Sequence, residues 1–169
     1  TASGDSVLRR TKQRFPYQPG KAIFILQSFV GATPTSGLTQ EVGFFDDQNG
    51  VMVRASGTTI QFVIRSFTTG SVVENVVSQS SWNIDTFASL DFSKAQIFAV
   101  DLEWLGVGRV RAGFVVNGEI IYCHEFNHYN TLTSAYMTTA ILPLSYRMAN
   151  TTAQALSLIH ISEPTRRYA

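Results

Sequence analysis

The chain has 169 residues, 44% apolar, 12% aromatic and 15% charged, with a formal net charge of +1. That length suits one domain with a sizeable core. The near-neutral balance excludes nucleic-acid binding by bulk electrostatics, because no excess of Lys and Arg is ready to displace counterions from phosphates.

From the N-terminus, period-two alternation recurs and no window carries a helical stripe. The predicted strands are Val7 to Phe15, Ala22 to Val30, Gln40 to Phe45, Val51 to Ala55, Thr59 to Phe67, Val72 to Val77, Gln96 to Trp104, Arg109 to Val116, Glu119 to Phe126 and Leu144 to Ala149. Arg9, Arg10, Lys12, Arg14 and Lys21 make the start locally basic, read as solvated strand faces. Gly31 to Gly37 reads as a loop. "FDDQNG", Phe45 to Gly50, reads as a hairpin tip with solvated acids, since the glutamate a calcium loop requires is missing. Asn49-Gly50 and Asn117-Gly118 each predict a hairpin, because Asn-Gly tolerates the positive φ of a type I′ turn. Ser78 to Ser93 reads as an irregular crossing with one short helical turn. Trp82 in that crossing is either a ligand contact or a core plug under the loop.

The stretch "QIFAVDLEWLGVGRVRAGFVVNGEIIYCHEF", Gln96 to Phe126, predicts a three-stranded meander. Alternation puts Phe98, Val100, Leu102 and Trp104 on a core face and Asp101 and Glu103 on the other. A turn near Leu105 to Gly108 sets Glu103 against Arg109 and Asp101 against Arg111. A two-residue turn at Asn117-Gly118 sets Gly113 against Tyr122 and Arg111 against His124. The expected candidate binding face is Asp101, Glu103, Arg109, Arg111, Tyr122 and His124, joined by Trp82; the alternative is a salt-bridged solvent face. Phe114, Ile121 and the lone Cys123 fall on the buried side. With one cysteine no internal disulfide can form.

Two motifs suggest chemistry and fit it poorly. "HEFNH", His124 to His128, matches a zinc-protease pattern that needs both histidines on one helical face. Here a strand runs into it, and residues four apart in a strand lie ~13 Å apart. No metal, cofactor or catalytic residue is expected. "FAVDLEWLG", Phe98 to Gly106, resembles the catalytic strand of laminarinase and κ-carrageenase type glycoside hydrolases, which fold as concanavalin-like sandwiches. On that resemblance Asp101 matches the supporting aspartate and Glu103 the acid/base. The nucleophile position is Ala99, so the paired carboxyls ~5.5 Å apart that retaining hydrolysis needs are absent.

Three longer segments, Thr58 to Asp85, Gln96 to Asn130 and Tyr136 to Thr151, resemble poorly characterised virion structural proteins of marine phages and large algal viruses. The resemblance implies a particle-surface or tail-fibre module, located in the virion, whose partners are other virion subunits, with a homo-oligomer and host-surface glycans also in view. It supplies no catalytic residues. "LSLIHISEPTR", Leu156 to Arg166, resembles the translation of a transposase-based sequencing adapter, so 156–169 is expected to be non-native. Thr1 is not an initiator, and native sequence is expected beyond both ends. No run reaches the ~20 apolar residues of a membrane helix, and no membrane insertion or nucleic acid is expected.

The expected architecture is all-β: one antiparallel β-sandwich over 1–155, concanavalin-like or a related jelly roll. The expected function is a non-catalytic virion structural domain for assembly and adhesion. A lectin-like carbohydrate-binding module is the alternative, and a degenerate glycoside hydrolase the third reading.

Overall fold

The computed structural model describes residues 3–18, 21–103 and 108–152. It contains ten strands: β1 (Ser6–Arg10), β2 (Ile23–Val30), β3 (Leu38–Phe45), β4 (Gly50–Ser56), β5 (Thr59–Ser66), β6 (Val73–Ser78), β7 (Ala95–Leu102), β8 (Val110–Val116), β9 (Glu119–Phe126) and β10 (Leu144–Asn150). Each falls where alternation predicts it. β1 is shorter than expected, with Phe15 retained as an isolated bridge to Leu142. The short helical turn of the crossing is a 3-10 turn, Gln79–Ser81. Trp104 and the tail 156–169 lie outside the described residues.

The strands form two antiparallel sheets, one of six in the order β1-β10-β3-β4-β5-β6 and one of four in the order β2-β7-β8-β9. The chain is therefore an antiparallel β-sandwich, as its alternating apolar faces require. Val42, Phe44, Val53, Phe62 and Ile64 from the larger sheet meet Ile25, Phe98, Val100, Leu102 and Phe114 from the smaller. Phe62 lies at the middle, 5.8 Å from Phe98 and 6.0 Å from Phe114 between ring centroids. Each such aromatic contributes roughly 1.5–3 kcal/mol through burial.

The sheets are offset. β2 sits above β10: the Gln27 side-chain amide donates to the Ser145 carbonyl at 3.2 Å and the Tyr146 hydroxyl to the Ser28 carbonyl at 2.9 Å. β1, one strand further out, projects past the smaller sheet. On the outer face of the larger sheet, Arg54 and Arg65 lie between Glu41 and Glu74, with Phe45, Met52 and Val63 forming a second buried cluster.

Asn117-Gly118 makes the expected two-residue turn, with φ of 52° and 86°. Asn49-Gly50 does not: the hairpin closes with Phe45 opposite Gly50, so Asp46–Asn49 form a four-residue tip. The Asp46 carboxylate accepts the Gln48 and Asn49 amides, and the Asn49 side chain turns inward to Thr138. Nor are the tip's acids simply solvated. Arg10 bonds Asp47 and Arg14 bonds Asp46, tying the basic N-terminal segment to the β3-β4 tip.

Candidate functional site

The predicted polar face forms on the outside of the four-stranded sheet. β7 and β8 pair with Asp101 opposite Arg111, and the Arg111 guanidinium donates to the Asp101 carboxylate through both Nε and Nη2. Just past β7, the Glu103 amide donates to the Arg109 carbonyl at 3.1 Å. The Arg109 guanidinium then stands 3.8 Å from Glu103 and 3.6 Å from Glu125. Gly113 faces Tyr122 across β8 and β9, as expected. The Tyr122 ring carries the Arg111 guanidinium over its face at 4.2 Å, within cation–π range. Tyr136 fixes the end of the row by donating its hydroxyl to the Glu103 carbonyl.

Two predicted members are elsewhere. His124 is not on this face, because β9 carries a bulge where Ala112 pairs with His124 and Gly113 with Tyr122. The extra residue leaves Cys123 in the core, turns His124 inward and brings Glu125 opposite Arg111. His124 is 7% exposed, accepts the Asn83 amide at Nδ1 and meets Phe126 edge-on at 4.5 Å. Trp82 also leaves the candidate face and takes its alternative place, the core plug under the crossing. It is 6% exposed, stacks on Phe62 at 4.1 Å and donates its indole N–H to the Val77 carbonyl. It plugs the core, with Phe114 as its second ring neighbour.

Burial dominates the chemistry of the remaining groups. It lowers the pKa of His124, and of His128, which is stacked on Tyr136 at 4.2 Å and bonded at Nδ1 to the Gly108 carbonyl. Burial pushes the Cys123 thiol up to about 12, so it holds its proton and is a poor nucleophile. His124 lies within β9, where the zinc pattern would need a helix. Among the described residues no three His, Cys, Asp or Glu side chains are grouped to hold a metal. Ala99, at the position a hydrolase nucleophile would take, is fully buried. The arrangement is a row of salt-bridged donors and acceptors on the outer face of the four-stranded sheet.

Sequence reading missed the apolar half of this face. Phe24 is 49% and Leu26 51% exposed on β2, and Val30, Ile97 and Ile120 also reach solvent on the same side of the sheet. The signal was present in "IFILQSFV", which is apolar at positions of both parities. It also missed a cleft of about 780 Å³, which lies at the Ser28–Val30 end of β2 and not at the charged row.

No protein-family model matches the chain, and no curated protein matches it. Among solved structures it is similar to the "Botulinum Neurotoxin Type G Receptor Binding Domain", with 8% identity and a TM-score of 0.33, over 87% of this chain and 41% of that one. A second structure, of the botulinum neurotoxin serotype G binding domain, is 10% identical with a TM-score of 0.31, over 89% of this chain and 41% of the other. The chain thus spans well under half the length of either.

Proposed function

We propose that the chain is a non-catalytic attachment module of a virus particle, working through the outer face of its four-stranded sheet and contacting other virion subunits. The observation that carries this reading is the composition of that face: an exposed apolar column led by Phe24 and Leu26, bordered by the salt-bridged row of Asp101, Arg111, Arg109, Glu103 and Glu125. Apolar area supplies affinity on association, and the fixed charges set register and exclude wrong partners. The three sequence segments that resemble virion proteins give the module its setting. Tryptic digestion of gradient-purified particles from the source material should return peptides of this chain alongside those of the capsid; capsid peptides without them would contradict the assignment.

A second reading, attachment to host-surface glycans, is favoured by the Asp101–Arg111 pair beside Tyr122, which offers donors and acceptors next to an aromatic ring. A glycan array probed with the wild type and with Arg111→Ala tests it. Signal that the substitution removes supports glycan binding, and an array without signal removes that reading.

A further inference from the structure

Among the described residues β2 is an edge strand, paired on one side only, with β7. Two independent hydrogen bonds fix which of its backbone groups are free. The Glu103 amide bonds the Arg109 carbonyl, so odd-numbered residues of β7 turn their backbone groups toward β8 and even-numbered ones toward β2. With Val100 opposite Ile25 and Phe98 opposite Gln27, the odd residues of β2 complete that ladder. Phe24, Leu26, Ser28 and Val30 are left presenting N–H and C=O to the open edge. The Ser28 carbonyl agrees, since it accepts from Tyr146 across the gap between sheets. Among the described residues, nothing bonds the backbone of Phe24, Leu26 or Val30 on that side.

The Ser28–Val30 end of this edge opens on the cleft of about 780 Å³, which Tyr146 and Met148 of β10 and Arg9 of β1 also line. β1 is exposed on both faces, Val7 at 37% and Leu8 at 41%. Among the described residues β2 lacks the usual guards of an edge strand: Ile23–Val30 holds no charge and no proline, and its pairing with β7 has no bulge. The space also limits the occupant. Among the described residues β1 lies one strand beyond β10 in the larger sheet, so the larger sheet continues beneath the place where a strand ~4.8 Å beyond β2 would lie. A second copy joined edge to edge would bring its own projecting β1 into the same layer.

We propose that this edge takes one extended segment of a partner protein, which adds to β2 as a fifth strand, with inward apolar side chains over Tyr146 and Met148 where the cleft begins. The proposal does not depend on the virion reading.

The test is a displayed library of random peptides of eight residues, the length of β2, selected on the wild-type chain and counter-selected on Leu26→Pro. Leu26 offers its N–H to the open edge, so proline there spares the β7 ladder. Enriched peptides should alternate apolar residues and bind Leu26→Pro at least about tenfold more weakly. If Leu26→Pro does not fold, N-methylation of a selected peptide decides on the wild type alone: methyls on residues of one parity should abolish binding, and on the other leave it intact. No enrichment, equal binding to both proteins, or indifference to methyl parity would overturn the proposal. So would wild-type self-association in sedimentation that Leu26→Pro abolishes, which makes a second copy the occupant.

Discussion

At the scale of single residues, Trp82 and His124 show how burial overrides surface character. Trp82 lies in an irregular crossing, where sequence offers no periodicity to say which way a side chain points. The fold turns it onto Phe62. Truncating it removes a stacked ring from the middle of the core, so Trp82→Ala should lower stability by about 3–5 kcal/mol in urea titration, while leaving any glycan or peptide binding per folded molecule unchanged. A loss below about 1 kcal/mol would mean that the indole is not core. The histidines give a pH effect whose sign follows from burial. His124 and His128 both have pKa values lowered from 6.5 in the fold. Between 6.5 and those lowered values the unfolded chain binds protons that the folded chain does not, so stability rises with pH through that window. It is fully present above about 6.5 and is lost as pH falls. Urea midpoints at about pH 7.5 should exceed those at about pH 5.5, and equal midpoints would contradict buried neutral imidazoles.

Elements are where most of the structure could be read in advance. Alternation is local, so all ten strands, the Asn117-Gly118 turn and the Asp101–Arg111 and Gly113–Tyr122 pairs were legible. The bulge was not, because "YCHEF" keeps an acceptable alternation in either register. Only packing against β8 and the crossing chooses between them. Gly113 marks the place: a Cβ there would run into the Ile121 carbonyl. Gly113→Ala should cost about 1–3 kcal/mol and shift the Tyr122 resonances, whereas Gly70→Ala, at a loop glycine with open space around it, should leave those resonances alone. The outer face of the six-stranded sheet gives a second expectation. The Arg54 guanidinium, with help from Arg65, holds the Glu74 carboxyl at about 2, against 4.5 for the free group. The folded pKa is depressed, so this contribution is present above about 4.5 and is lost as pH falls toward 2. Glu74→Gln should reduce stability by about 1–3 kcal/mol at neutral pH and flatten the acid limb of the stability profile; an unchanged acid limb would mean that Glu74 is not held by the arginines.

For the molecule as a whole, the assignment of strands to sheets was hidden, because it depends on contacts far apart in sequence. β1 and β10 pair across nearly the whole described chain, and β2 leaves its chain neighbours to join β7. The offset this creates decides how stability is distributed. β4 and β5 are paired on both sides and buried on both faces. Among the described residues β1 is paired only with β10, is exposed on both faces, and is tied down by the ion pair of Arg10 with Asp47 and, just beyond it, of Arg14 with Asp46. Segments with few buried contacts open at lower free energy than the core. Hydrogen exchange should therefore proceed first through β1, and Asp46→Asn combined with Asp47→Asn should speed it there while leaving β4 and β5 unchanged. Acceleration spread evenly over all strands would mean that β1 unfolds only with the whole sandwich. The same experiment bears on the cleft: a strand added between β2 and the overhanging β1 would cover Val7 and Arg9, so a selected peptide should slow exchange in β1 and at Phe24, Leu26 and Val30 together. Protection at β2 without β1 would place the peptide on the outer face of the smaller sheet instead of in the gap.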